Sequence, residues 1–305
     1  MRAVRIHQFG GPEVLQLDDV PRPQADSGKL LIRVAAASVN PVDYKIRRGG
    51  YPLVGEKDLP FTLGRDVAGT IETAAAGYEQ NAEVYAHLEL TDGGYADFAL
   101  CAPSGIAAKP TTLNMIEAAA VPLAATTAWQ GLFDHGGLKA GQRVLIHGAS
   151  GAVGAFAVQF ARVGGAYVIG TASGDEMERL RRLGASQVID YKVQRFEQVV
   201  SDIDLVFDLI GGETLQRSFA VLRRGGTLIS TVEEPDAAEA AQAGVTAQRY
   251  AAEPNAGQLL KIAQLIDSKQ VEVTVANVFA LDAASKAHRC LEEGHPHGKV
   301  VLRVI

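Results

Sequence analysis

The stretch VLIHGASGAVGAF, Val144 to Phe156, constrains this chain more than any other. A buried apolar run enters a glycine-rich turn and leaves it as a helix, which is how a βαβ unit begins. In the GxGxxG pattern of a dinucleotide turn, Ala149, Gly151 and Gly154 occupy the three glycine slots. The second glycine lets a pyrophosphate approach the backbone, the third lets helix pack on strand, and the first only tightens the turn. Ala149 thus stands in the most dispensable slot. Backbone N–H groups of Ser150, Ala152 and Val153, with the helix N-terminus, then form the cradle for the pyrophosphate. A lone match of this kind also describes a structural turn in which Gly154 is a packing contact. Context favours the cofactor, because a second strand, AYVIGTA, follows one half-unit later.

The surrounding pattern divides in two. Up to about Pro110 the chain shows short β-type segments broken by Gly and Pro, such as KLLIRVAAASV, DVAGTIETA, EVYAHLEL and GYADFALC, the rhythm of a barrel-like domain. From about Asn114 strands and helices alternate: NMIEAAAVPLAATTAWQGLFDHG as one or two helices, then VLIHG, AYVIGTA, QVIDY, DLVFDLIG and GTLISTV as strands with helices between. Continuous apolar strands alternating with helices predict an α/β fold with a doubly wound parallel sheet. The tail, with helices NAGQLLKIAQLIDSKQ and DAASKAHRCLEE and strands VEVTVANVFAL and KVVLRVI, is expected to rejoin the first domain. The expected domains are therefore residues 1–115 with 256–305, and residues 116–255.

Length and charge narrow the function. The 305 residues suffice for two cores, and 47% apolar with 21% charged residues is ordinary for a soluble protein. A net charge of -6, with Lys and Arg scattered, provides no basic stripe, so nucleic acid is not expected as a partner. The longest uncharged run, Val144 to Ala161, carries His147, Ser150, Gln159 and three glycines, which fits strand, turn and helix better than a membrane span. Cys101 and Cys290 have neither CxxC spacing nor a partner cluster. With no leader pattern at the start, a cytoplasmic protein is expected.

The end of the second strand discriminates between NAD and NADP, because an acid there holds the ribose hydroxyls and its absence admits a 2′-phosphate. In GTASGDEMER, Thr171, Ala172 and Ser173 precede any acid, which favours NADPH. Asp175 and Glu176 are the counter-evidence, read otherwise as first-turn residues that favour a helix dipole. Arg179 and Arg182 read as solvated helix charges, with the phosphate as the alternative contact. Ser173 and Tyr191, which ends QVIDY, are candidates for the phosphate pocket.

These residues, with Gly10 to Glu13, ASVNPVDYKIRRGGY (37–51), LGRDVAGTI (63–71), GGYADF (93–98), ASGAVG (149–154), LGASQVIDY (183–191) and GKVVL (298–302), resemble the medium-chain dehydrogenase/reductase superfamily in its zinc-free quinone oxidoreductase-like branch. The resemblance spans nearly the whole chain. It implies a GroES-like β-barrel catalytic domain, a Rossmann domain and NADPH in the cleft between them. It also makes ASG at the turn a feature of the branch. The chain departs from the pattern at AAGYEQNAEVYA, which is shorter than in relatives.

A catalytic zinc needs three Cys, His or carboxylate ligands. In the zinc-dependent relatives a cysteine stands near Asn40 and a His-Glu pair opens the segment that here reads Arg65 Asp66, so no metal site is expected. The four-cysteine structural lobe is missing as well. Without a metal to polarise an alkoxide, the expected reaction is hydride transfer from NADPH to an acceptor that is already electrophilic, a quinone or an α,β-unsaturated carbonyl. By motif, the catalytic candidates are Asn40 near the nicotinamide, Tyr51 in the substrate pocket, and Asp43, Lys45, Arg65 and Asp66. For Asp43 and Arg65 a structural ion pair or turn contact is an equal alternative, and for Lys45 a solvated charge. Thr127, Gly211, Ile229, Ser230 and Lys299 match cofactor-facing positions. His135, His147, His295 and His297 read as ordinary hydrogen-bonding histidines.

Two rival functions remain at this level. A 2-enoyl-thioester reductase needs a basic pocket, for which Arg47 and Arg48 are the obvious pair, and a protein that binds NADPH without useful turnover fits the same motifs. The resemblance further implies a homodimer, with TLISTV as the strand region where the Rossmann sheet would be extended.

Overall fold

The computed structural model describes residues 1–25, 28–294 and 296–305; His295 lies outside them. The amino-terminal part is built of short strands: β1 (Arg2–Ile6), β2 (Leu15–Asp19), β3 (Leu30–Val39), β4 (Phe61–Thr62), β5 (Asp66–Ile71), β6 (Glu83–His87), β7 (Phe98–Cys101) and β8 (Ile106–Ala108). Helix α1 (Pro41–Arg47) interrupts them after β3, started by Asn40 as N-cap and Pro41 at its first position. Helix α2 (Met115–Ala119) packs on β3 and β5.

Helix α3 (Pro122–Trp129) leads into the second unit, which holds β9 (Arg143–Ile146), α4 (Ala152–Val163), β10 (Tyr167–Ala172), α5 (Met177–Leu183), β11 (Gln187–Asp190), β12 (Ile203–Asp208), α6 (Gly212–Ser218), β13 (Leu222–Ser230), α7 (Ala237–Ala243) and β14 (Thr246–Arg249). The six strands lie in the order β11-β10-β9-β12-β13-β14, all parallel, the doubly wound Rossmann arrangement. Strand order reverses between β9 and β12, so the glycine-rich turn after β9 and Gly211 after β12 meet at the carboxyl ends of adjacent strands. Ligands bind at that point in open α/β sheets.

The tail contributes α8 (Ala256–Asp267), β15 (Val275–Ala280), α9 (Ala284–Glu293) and β16 (Lys299–Arg303). Its strands join the amino-terminal ones in a sheet ordered β15-β16-β3-β5-β6-β8, with β7 also on β3, beside a small sheet β2-β1-β4. The compact units are accordingly Met1–Leu123 with Glu253–Ile305, and Ala124–Ala252. The first of these compact units includes α2, which packs on the barrel strands β3 and β5. Each unit has its own apolar core.

One sequence expectation changes. TLISTV forms the end of β13, which is paired on one side with β12 and on the other with β14. Its backbone groups are already used, so it has no free edge to offer a second copy; the edges of that sheet are β11 and β14. In the helical stretch after Asn114, the chain leaves α3 through a π-helical turn, Gln130–His135, rather than continuing as regular α-helix.

Gly131 explains the close packing at that turn. A Cβ there would lie 2.5 Å from the Phe207 ring and 2.7 Å from the Tyr250 hydroxyl. Helix propensity alone favours alanine over glycine by roughly 1 kcal/mol, whereas overpacking a core costs roughly 1–3 kcal/mol. The packing term wins. Gly131→Ala is therefore expected to lower stability by about 1 kcal/mol or more in urea unfolding, and a gain in stability would contradict this packing.

Candidate functional site

The glycine-rich turn assigns each of its residues a distinct job. Gly148 adopts φ +68°, so the left-handed position of the turn is one residue ahead of the first motif slot. Ala149 is buried and donates its N–H to the Thr171 carbonyl at 3.2 Å. Its methyl fits because Gly170 on β10 has no side chain: a Cβ there would come within 2.9 Å of it. Gly154 is required by packing, since a Cβ would lie 2.3 Å from the Gly148 carbonyl oxygen and 2.6 Å from the Ala149 Cα.

Gly151 is different. Its φ of -69° suits any residue, and a Cβ at this position would have only the Gly148 oxygen near it, at an ordinary 3.4 Å. The protein's own packing does not demand glycine there, so the open space above it suits a group that approaches the backbone. Gly151 is also the N-cap of α4, and Ala155 is the first residue to bond back to it, at 2.8 Å. The N–H groups of Ala152, Val153 and Gly154 are thus left by helix geometry for an anion. Turn and helix start fit a dinucleotide pyrophosphate.

Around this turn the other candidates separate. Ala172 and Asp190 are register partners, which sets Ser173 beside Tyr191 at the ends of β10 and β11. Ser173 is half-buried, and Tyr191 is 59% exposed. Glu176 ends a short 3-10 turn before α5 and is buried, not displayed on a helix surface. Arg179 is no solvated helix charge either: it donates to Glu176 at 2.9 Å and to the Ser150 carbonyl at 3.2 Å. Arg182 is exposed. Gly211 adopts φ +79° and gives its N–H to the buried Asp208 carboxylate at 3.1 Å. Ser230 donates to the same carboxylate at 2.8 Å, and Ile229 is fully buried within the sheet, so both side chains face protein. Thr127 lies on α3, nearly buried, and its carbonyl accepts the Tyr250 hydroxyl.

The first unit contains a second polar centre around Asp66. Its carboxylate accepts from Ser38 Oγ at 2.6 Å, Asn40 Nδ2 at 2.8 Å, Lys299 Nζ at 3.3 Å and the Leu123 N–H at 2.6 Å. Lys299 also donates to Asn40 Oδ1. Lys299 therefore belongs with Asn40 and Asp66 in this network. Asp43 is fully buried and accepts from Asn40 N at 2.7 Å, Tyr95 Oη at 2.9 Å and Gly64 N at 3.3 Å. Because Tyr95 spends its single proton on Asp43, His288 Nε2, 3.3 Å away, is the donor to the Tyr95 oxygen. Burial, and then Arg47, push the His288 pKa down to about 3, so it is neutral.

The remaining catalytic candidates are elsewhere. Arg65 donates to the Leu88 carbonyl at 2.7 Å and lies 3.2 Å from His87 Nε2, a turn contact and not an ion pair with Asp66. Burial and the Arg65 charge push His87 down to about 3. Lys45 is exposed, while Tyr51 is partly buried against the barrel core. The expected basic pair is occupied: Arg47 is fully buried against Glu292, and Arg48 reaches the same carboxylate at 2.8 Å. His147 is held between Thr171 Oγ1 at 3.2 Å and Ser218 Oγ at 3.1 Å, and burial pushes it down to about 3. His135 packs against the Tyr250 ring. Among the described residues no group of three or more His, Cys, Asp or Glu is disposed to hold a metal, and no helix is long and apolar enough to cross a membrane.

Motif matching passes over Gly148, Ser38, Tyr95, His288 and Asp208. Gly148 is visible as the start of a Gly-x-x-Gly-x-x-Gly spacing, and Tyr95 lies within GGYADF. The side-chain partners of Ser38 and His288 are 28 residues or more away in the chain, and Asp208 joins its near neighbour Gly211 to Ser230, 22 residues on.

Comparison with known proteins agrees with this architecture. Residues 26–110 match the model of the alcohol dehydrogenase GroES-like domain, and residues 183–302 that of the zinc-binding dehydrogenases. Human quinone oxidoreductase is 33% identical over 99% of this chain and 97% of its own length. The 2-methylene-furan-3-one reductase of Solanum lycopersicum is 31% identical over 100% of this chain and 79% of its own. A mycobacterial protein solved in complex with NADPH superposes with a TM-score of 0.88 at 30% identity, over 100% of both chains. The chain belongs to the medium-chain dehydrogenase/reductase superfamily, in its quinone oxidoreductase-like group, and is an oxidoreductase that takes a nicotinamide cofactor.

Proposed function

We propose that the protein uses NADPH to reduce a quinone or an α,β-unsaturated carbonyl, without zinc. The observation that carries this reading is the Asn40–Asp66–Lys299 cluster. Where a zinc enzyme needs metal ligands, these side chains are bonded to one another, and the positive charge is a lysine ammonium. An ammonium orients and neutralises charge but does not generate an alkoxide as a metal does, so the acceptor has to be electrophilic on its own. The names of the human and tomato relatives, a quinone oxidoreductase and a reductase of a methylene ketone, support the same substrate classes.

Bound NADPH would supply the hydride from C4 of its nicotinamide. The turn from Gly148 to Gly154 would hold its pyrophosphate, with Ser173 and Tyr191 toward the adenosine end and Thr127 and Gly211 as further contacts. In the first unit, Asp66 accepts from four donors and is not available as a base. Lys299 uses two ammonium protons on Asn40 and Asp66, and the third has no acceptor among the described residues. That proton is our candidate for the oxygen on which charge develops. Asn40 is held at its backbone by Asp43 and at its amide by Asp66 and Lys299, as a group that positions a ring requires. Tyr51 would line the substrate pocket. A thioester reductase has less support, because Arg47 and Arg48 are committed to Glu292.

The direct test is NADPH oxidation by chelator-treated protein, with a small quinone and with an alkenal, and with the products identified. Turnover of either is expected, and the product separates carbonyl from double-bond reduction. Tight NADPH binding with neither acceptor consumed would overturn the reading. Lys299→Gln keeps a donor toward Asp66 and removes the charge; it is expected to lower kcat/KM by about 100-fold. Unchanged kcat/KM would remove Lys299 from the reaction.

Asp43 gives a pH signature. Burial pushes its carboxyl up to about 6, against the hydrogen bonds from Asn40 and Tyr95. The folded state then holds a proton that the unfolded chain has already released, so this group lowers stability as pH rises from about 4 to 6, by about 2–3 kcal/mol in all. Comparing urea unfolding across that range, the wild type should lose more stability than Asp43→Asn, whose amide does not titrate. Parallel pH slopes would contradict the assignment.

A further inference from the structure

Gly148 supplies the left-handed position of the nucleotide turn, and one threonine holds the residues on both sides of it. The carbonyl of Thr171, on β10, accepts the Ala149 N–H at 3.2 Å, and its hydroxyl lies 3.2 Å from His147 Nδ1. The peptide that joins Gly148 to Ala149 is thus held at its N–H by Thr171. At its other end the Gly148 carbonyl accepts the Gly151 N–H at 3.1 Å, and Gly151 is the N-cap of α4. The orientation of this one peptide therefore sets where the start of α4, with its N–H groups left for an anion, is directed.

Proton counting gives the direction of the His147 bonds. Ser218 Oγ donates its only proton to the Thr214 carbonyl at 2.7 Å, so it accepts from His147 Nε2 at 3.1 Å. The ring proton is on Nε2, and Nδ1 accepts from the Thr171 hydroxyl. Burial, and then the Arg217 charge, keep the ring neutral. The backbone N–H of His147 goes to the Phe207 carbonyl of β12 at 3.0 Å, and the Phe196 ring packs against the imidazole with centroids 4.5 Å apart. One residue thus joins the end of β9 to β10, β12 and α6. At 1% exposure an aliphatic side chain would fill the same space without burying a polar ring. It would not hold the Thr171 hydroxyl on one side and Ser218 on the other.

We propose that His147 is a positioning residue for the cofactor, which acts through Thr171 to fix the Gly148–Ala149 peptide in the orientation that presents the start of α4 to the pyrophosphate. This rests on the dinucleotide reading of the turn and names the residue that pre-organises it. Without the imidazole the backbone bonds of the turn remain, but Thr171 is free to change rotamer. The turn is then ordered only when a ligand arrives, and affinity falls.

The test is equilibrium binding by calorimetry, with no turnover, of 2′-AMP, which lacks a 5′-phosphate, and of 2′-phospho-ADP-ribose, which adds the pyrophosphate. The wild type is expected to bind the second more tightly. His147→Leu should cut that advantage by on the order of 5–10-fold, the effect of one lost neutral hydrogen bond, with 2′-AMP still bound as in the wild type, which also shows that the variant is folded. His147→Gln offers an acceptor to Thr171 and a donor to Ser218, and should restore most of the advantage. Thr171→Val keeps the carbonyl and removes the hydroxyl; it should lose the advantage to a similar degree, and adding His147→Leu to it should cost little more. Thr171→Val also carries the test if His147→Leu does not fold. Nitrogen NMR of the wild type should find the His147 proton on Nε2. Variants that melt at lower temperature but keep the wild-type advantage would overturn the proposal and leave the turn as the pyrophosphate site, as would a proton on Nδ1. A wild type that gains nothing from the pyrophosphate would overturn the dinucleotide reading as well.

Discussion

The buried carboxylate of Asp66 is the constraint on which the first unit depends. A charge of this kind costs several kcal/mol to bury unless its acceptor positions are filled. Here the four donors come from β3, the N-cap of α1, the first turn of α3 and β16. Satisfying one side chain therefore requires the carboxyl-terminal strand to return to the amino-terminal sheet, where β16 pairs with β3 from Val300–Val39 to Arg303–Ala36. Discontinuity of the domain and the polar centre follow from the same pairing.

Asp43 and Asp66 show how two nearby carboxylates acquire different roles. Asp66 is met by an ammonium and three further donors. Asp43 has only neutral donors in contact, so burial dominates and its proton is held more tightly. Tyr95 and the neutral His288 extend its hydrogen bonds to α9, and the Arg47–Glu292 pair ties α9 to α1 again. The backbone of Asn40 is thereby held by Asp43 of α1, which α9 steadies, and the amide has little freedom.

In the second unit the glycines divide the work. Gly148 supplies a backbone conformation, Gly154 and Gly170 supply room for packing, and Gly151 leaves space that the protein does not use. Ala149 is accepted because the strand beside it has a glycine opposite its methyl. The alanine in the motif and Gly170 in AYVIGTA form one compensated pair across two strands.

The local features were legible in the sequence: strand, turn and helix at Val144 to Phe156, and the alternation that makes the parallel sheet. Each rests on periodicity or backbone preference within a few residues, and those are properties of the chain itself. The identity of Asn40 and Asp66 as polar groups near one another was also visible by motif. Tertiary structure decided what those groups touch. It put Lys299 with Asn40 across 259 positions, paired Arg179 with Glu176 against the turn, committed Arg47 to Glu292 and enclosed the TLISTV strand between two neighbours. Which donor meets which acceptor, and which strand keeps a free edge, depends on how distant segments pack, and local patterning carries no record of that distance.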